Sequence, residues 1–168
     1  MSWEALGAIG EVAGAVAVVI TLIYLTLQLR QNALQIRLNS SQTASNTYSS
    51  RIREVLSDPA RLSLFRAGLA DWNQLSRDDQ AQFHAIMMGF QVSYLQNRQL
   101  YQARVIPSDV FGAWEQDWVR ILKCPGAQAW WLWAQKMLDP QAVTAIEALL
   151  ATSTTEPLNR VAPFLRPD

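Results

Sequence analysis

Glu11–Arg30 reads "EVAGAVAVVITLIYLTLQLR", one acid and one base enclosing eighteen residues that carry no charge. A helix rises about 1.5 Å per residue, so Val12–Leu29 reaches roughly 27 Å, close to a bilayer hydrocarbon core of about 30 Å. Val12, Val16, Val18, Val19, Ile20, Leu22, Ile23, Leu25 and Leu27 fall on every side of such a helix and leave no polar stripe. A surface helix of a soluble domain would show one. A core helix would not, but a domain this small would struggle to cover it on all sides. A cleaved secretory signal needs a basic start and a small-residue cleavage motif. The preceding "MSWEALGAIG" has Glu4 and no Lys or Arg, and the following "LQLRQNALQIR" has no A-x-A pattern. The stretch is therefore expected to be a retained transmembrane helix.

Flanking cations set the expected orientation. None precedes the span, whereas Arg30, Arg37, Arg51 and Arg53 follow it. The C-terminal part is expected in the cytoplasm, with a short N-terminus outside. Trp3 and Tyr24 are candidate interface aromatics, although Tyr24 lies deep for that role.

The rest of the chain bounds the problem further. Its 168 residues suffice for one domain with a core and are few for two. Only 17% of residues are charged, against about 25% in an ordinary soluble protein. The formal net charge is zero, so nucleic acid is not an expected partner. Cys124 is the single cysteine and has no partner for an internal disulfide, which fits a reducing compartment.

Helical periodicity continues beyond the span. Leu34, Leu38, Ser41, Ser45, Tyr48, Ile52 and Leu56 recur at threes and fours, and no Pro or Gly intervenes between Gly14 and Pro59. This predicts one long helix, or two nearly collinear ones, over about Trp3–Leu56. The weak helix formers of "NSSQTASNTYSS" make a kink plausible there. Asp58-Pro59 and Asp139-Pro140 each offer a cap followed by a first-turn proline. Gly68 is expected to end the helix that Asp58 starts, and "DWNQLS" to form a loop. Ser76 and Asp79 resemble a capping box. Phe83, Ile86, Met87, Phe90, Tyr94, Leu95 and Tyr101 mark a long helix that "IPSD" breaks. Ser108 is expected to cap the next, with Phe111, Trp114, Trp118, Ile121 and Leu122 on one face. After "KCPG", a helix is expected over Gly126–Leu138. No period-two segment competes, so the expected fold is all-α. The expected organisation is a transmembrane helix (residues 1–30), a stalk helix (31–57), a helical cytoplasmic domain (58–151) and a Pro-rich extended tail (152–168).

The opening "WEALGAIGEVAGAVAVVITLIYLTLQLRQN" resembles that of a widespread bacterial family of small, uncharacterised, membrane-anchored helical proteins with a WEAxGAIGE-type span. "DPARLSLFRAGL", "FHAIMMGFQVSYLQNRQLYQARVI" and "CPGAQAWW" extend the likeness more loosely, almost to Leu150. The resemblance implies a span in the bacterial inner membrane followed by a cytoplasmic helical domain. It implies no activity and no functional residues.

Catalytic chemistry has few footholds. His84 is the only histidine, too few for a zinc site or a histidine-based triad, and it reads as a helix-surface or half-buried residue. There is no Glu-x-x-His, G-x-G-x-x-G or phosphate-binding loop motif. Asp78, Asp79, Asp109, Glu115 and Asp117 sit near helix starts, where negative charge complements the helix dipole. Glu115 and Asp117 are two apart and point away from each other on a helix, which disfavours an acid/base pair. No catalytic residue, cofactor or metal is expected.

Two groups of residues point to association instead. Gly10 and Gly14 form a G-x-x-x-G, with Gly7 and Glu11 on the same side. Small residues let helices approach closely in lipid. Glu11 is expected either to face a partner helix or water, or to lie at headgroup level. Five of the seven tryptophans lie between Trp114 and Trp133. Trp114 and Trp118 are expected in the core. Trp130, Trp131 and Trp133 cannot share one narrow face, so at least one is expected to be exposed. The expected role is a non-enzymatic, membrane-anchored interaction protein. It would associate with itself or serve as an accessory subunit among other membrane proteins. An oligomer with Glu11 lining a cation pathway is the alternative, and an enzyme with a pocket among the tryptophans has least support.

Overall fold

A computed structural model describes residues 3–165, apart from the side chains of residues 4–6, 8 and 9. Among the described residues every regular element is helical. The elements are α1 (Trp3–Leu56), α2 (Pro59–Ala70), α3 (Arg77–Gln102), α4 (Ser108–Leu122), α5 (Pro125–Ala134), α6 (Pro140–Thr152) and the short α7 (Leu158–Val161). Single 3₁₀ turns occupy Trp72–Gln74, Gln135–Met137 and Pro163–Leu165. The chain divides into two compact units, Met1–Ser40 and Ser41–Asp168.

α1 runs unbroken through the Ser/Thr-rich segment. Its polar side chains bond along the helix rather than against it. Thr47 donates to the Thr43 carbonyl at 3.0 Å, Ser50 to the Thr47 carbonyl at 2.8 Å, and Gln42 to the Asn46 side chain at 3.1 Å. In the first unit, α1 is long and apolar enough to cross a membrane, and the apolar window is wholly unburied.

The compact units divide within the stretch expected as a stalk. From Ser41 it belongs to the second unit, where Ala44 and Val55 are buried and Tyr48 and Ile52 half-buried. Leu34, Leu38 and Leu56, which the periodicity placed on one stripe with them, are exposed. The packed face follows Ala44, Tyr48, Ile52 and Val55, which keeps Tyr48 and Ile52 of the expected stripe.

Local capping signals act largely as expected. Asp58 accepts from the Ala60 backbone N–H at 2.9 Å, and Asp139 from Gln141 and Ala142 at 3.0 and 3.1 Å. Ser76 accepts from the Asp79 N–H at 3.2 Å. The Asp79 carboxylate accepts from the Ser76 hydroxyl at 2.7 Å, where the Glu of a capping box would take the backbone N–H of the capping residue.

Five boundaries differ from expectation. Gly68 does not end α2, which runs to Ala70. "DWNQLS" holds a 3₁₀ turn capped by Asp71, and Trp72 is buried. α3 ends before "IPSD", with Arg104 at a φ of 57°, a left-handed cap conformation usually taken by glycine. Ser108 is the first residue of α4 and makes no cap bond; Pro107 precedes it, and its carbonyl accepts from the Phe111 N–H at 3.0 Å. α5 also starts at Pro125, and its α-helical part ends at Ala134.

The core of the second unit lies among α2, α3, α4, α5 and α6. Leu69, Phe83, Met87, Leu122, Trp130 and Ile146 are fully buried. Each such side chain contributes about 1.5–3 kcal/mol relative to exposure. The tail is not simply extended. Residues 153–157 carry no helix, but α7 follows, and Leu165 is buried. Lys123 ties this segment down, donating to the carbonyls of Ser153 and Thr155 at 2.5 and 3.0 Å. Residues 166–168 of the expected tail lie outside the described residues.

Candidate functional site

The glycine face of the first unit is open. Gly7, Gly10 and Glu11 are exposed, as is Gly14, and a Cβ added at any of the three glycines meets nothing within 4 Å. The surrounding Val12–Leu29 side chains are exposed as well, from Leu25 at 46% to Leu29 at 68%. This face is available for packing against another helix.

The tryptophans separate into roles. Trp118, Trp130 and Trp131 are buried, and Trp114 is half-buried with its ring 5.5 Å from that of Tyr48. Trp133 is the exposed member, at 45%. It lies 6.0 Å from Trp72 and edge-on to His84 at 5.0 Å. Trp72, which looked like a loop residue, joins this aromatic group because the 3₁₀ turn directs it inward.

His84 is half-buried on α3. Its Nδ1 accepts from the Trp130 indole N–H at 3.1 Å, so the neutral ring carries its proton on Nε2. Burial pushes its pKa below the ordinary histidine value. The imidazole is a half-buried acceptor that satisfies a core tryptophan. Among the described residues, no three His, Cys, Asp or Glu side chains gather to hold a metal ion.

The acids of α4 do more than complement a dipole. Asp117 accepts from the Tyr48 hydroxyl of α1 at 2.9 Å, and Glu115 from the Tyr94 hydroxyl of α3 at 3.1 Å. Their two-residue spacing thus sends each carboxylate to a different helix. Burial, then the neighbouring carboxylate, raises both tyrosines above the usual phenol range, so both remain donors. Cys124 is fully buried, and burial raises its thiol pKa. Sequence reasoning had no signal for these tyrosine pairings, whose partners are 69 and 21 residues apart.

The glycines that decide helix contact in the second unit are also different ones. A Cβ on Gly68 would collide with the Phe83 ring. A Cβ on Gly126 would collide with the Gly68 carbonyl oxygen and lie 2.9 Å from the backbone nitrogens of Asp71 and Trp72. α2 and α5 therefore cross backbone to backbone at this pair.

Two grooves open on the second unit. One, of about 310 Å³, is lined by Arg51, Glu54, Arg61 and Gln82 over an apolar floor. Glu54 there is held by both arginines, 3.3 Å from Arg51, and its pKa is lowered chiefly by the Arg61 hydrogen bond. A carboxylate so engaged is a poor proton acceptor. The other groove, of about 200 Å³, lies between the end of α1 and the C-terminal segment. No family model, curated protein or solved structure matches the chain.

Proposed function

We propose that this chain is a non-enzymatic, membrane-anchored interaction protein of the bacterial inner membrane. Its N-terminus faces outward and its second unit lies in the cytoplasm. It either associates with itself or serves as an accessory subunit of a larger membrane complex. One observation carries the reading: a charge-free helical window, apolar on every face, that no other part of the described chain covers. Ten Leu, Ile and Val residues lie in Val12–Leu29. At about 0.3–0.6 kcal/mol each in favour of the bilayer, they contribute roughly 3–6 kcal/mol to insertion. Left in water, the same surface far exceeds the apolar patches that monomeric proteins tolerate.

The destinations of the polar groups support a binding rather than a catalytic role. Glu115 and Asp117 serve tyrosines, His84 serves Trp130, and Glu54 serves two arginines. None of these pairs a nucleophile with a base. The open Gly7–Gly10–Gly14 face is the surface offered within the bilayer.

Two measurements test this reading. A reporter fused after Asp168 should be active only in the cytoplasm; activity only outside would overturn the orientation. Native mass measurement of the mildly extracted protein should give multiples of 18.9 kDa or that mass bound to other membrane proteins. A lone 18.9 kDa chain under conditions that preserve known membrane complexes would refute the interaction role.

A further inference from the structure

The groove beside the C-terminal segment is built differently from the rest of the surface. Ile52 of α1, Ile121 of α4 and Leu158 and Leu165 of the tail give it apolar walls. Tyr48 and Asp117 are the residues with polar side chains that line it. Asp117 takes one hydrogen bond, from Tyr48, and no ion pair reaches it among the described residues. Lys123, which caps the C-terminus of the same helix, is committed to the tail carbonyls. An apolar slot thus ends at a carboxylate that forms no ion pair among the described residues, and the wall opposite is the C-terminal segment, held by Lys123 and by bonds between Cys124 and the Leu158 and Asn159 backbone.

We propose that this groove binds a small amphipathic cation, with its aliphatic body between the tail and α1 and its ammonium-type head on Asp117. Charge complementarity selects the head. Asp117 retains acceptor capacity beyond the Tyr48 bond, and a protonated amine supplies donors and a complementary positive charge. Size selects the body. About 200 Å³ holds roughly seven non-hydrogen atoms at the ~30 Å³ share of a water molecule. Hexylammonium has that size. The walls, being aliphatic, favour a chain over a second charge.

The test uses the full chain in lipid nanodiscs with isotope-labelled isoleucine methyl groups. Ile52 and Ile121 report on the groove, and Ile146, buried away from it, controls for partitioning into lipid. Hexylammonium should shift Ile52 and Ile121 but not Ile146, with at least tenfold tighter apparent affinity than hexanol, and hexanoate should not bind. Asp117→Asn keeps an acceptor for Tyr48 and should bring hexylammonium down to the hexanol level. Ala162→Phe fills the groove from the tail side with the carboxylate intact, and should abolish binding. It decides the matter alone if Asp117→Asn does not fold. Equal affinity for amine and alcohol, an unchanged preference in Asp117→Asn, or binding retained in Ala162→Phe would each overturn the proposal. So would methyl shifts that follow protein concentration rather than probe, which would make a second copy of the chain the occupant.

Discussion

Replacing Gly126 by alanine should destabilise the second unit, even though alanine is the better helix former. The added methyl has nowhere to go. It would collide with the Gly68 carbonyl oxygen and crowd the Asp71 and Trp72 nitrogens at 2.9 Å. All three are backbone atoms, so no side chain can swing aside, and α5 must move off α2. Overpacking costs about 1–3 kcal/mol where neighbours can adjust, and a backbone contact places this case at about 3 kcal/mol or more. Alanine's helix propensity returns at most about 1 kcal/mol, and less in the first turn. Gly112 supplies the control, because it lies inside α4 and a Cβ there meets nothing within 4 Å. Gly112→Ala should therefore stabilise the unit by up to about 1 kcal/mol. At roughly 4 °C per kcal/mol for a unit of this size, the midpoints should move about 8 °C or more downward and a few degrees upward. Tryptophan fluorescence is the suitable assay, since six of the seven tryptophans lie in the second unit. If Gly126→Ala melts at or above the wild-type midpoint while Gly112→Ala rises, the close crossing of α2 and α5 is refuted.

Gly10→Leu or Gly14→Leu should weaken association within the membrane while leaving the second unit's melting unchanged, because a bulky residue separates closely crossing helices. Unchanged assembly in crosslinking or native mass measurements would move the contact away from this face. Glu11→Gln keeps the volume, so it should change coupling or conduction more than assembly if the acid is buried against a partner, and be silent if it is only interfacial. His84 should make stability depend on pH. Its folded pKa lies below its unfolded value, so its contribution is complete above about 6.5 and is lost as pH falls from there through the lowered folded value. A denaturation series should show that loss in the wild type and not in His84→Gln; a flat wild-type profile would contradict the acceptor role of the imidazole. The Cys124 thiol, buried and raised in pKa, should resist alkylation until the unit unfolds, and rapid labelling of the native protein would show the α4–α5 junction to be open.

Much of the architecture was legible because it is encoded within a turn or two of helix. The uninterrupted apolar run of Val12–Leu29 and the lack of breakers up to Leu56 specify a long first helix without reference to anything else. Asp58-Pro59, Ser76 and Asp139-Pro140 start helices through bonds to residues two or three positions on. The stripe of Phe83, Met87, Phe90 and Tyr94 announces the buried face of α3 by periodicity alone. The crowding of Trp130, Trp131 and Trp133 on one short helix required one of them to be exposed, and Trp133 is.

What tertiary structure decided concerns pairs distant in sequence. Nothing local distinguishes Gly126 from Gly112, yet one lies against the backbone of α2 and the other in open space. Glu115 and Asp117 look like dipole-complementing acids until Tyr94 and Tyr48 arrive from other helices. The stretch expected as a stalk up to residue 57 divides at Ser41, from which Ala44 and Val55 are buried in the second unit beside Tyr48 and Ile52 of the expected stripe. The tail after Thr152 folds back through Lys123 and Leu165, held by contacts that hydropathy along the chain does not record. Helix formation and capping are set by bonds within a few residues. Close approach, buried hydrogen-bond partners and unit boundaries depend on which surfaces meet, and that is fixed only when the chain has folded.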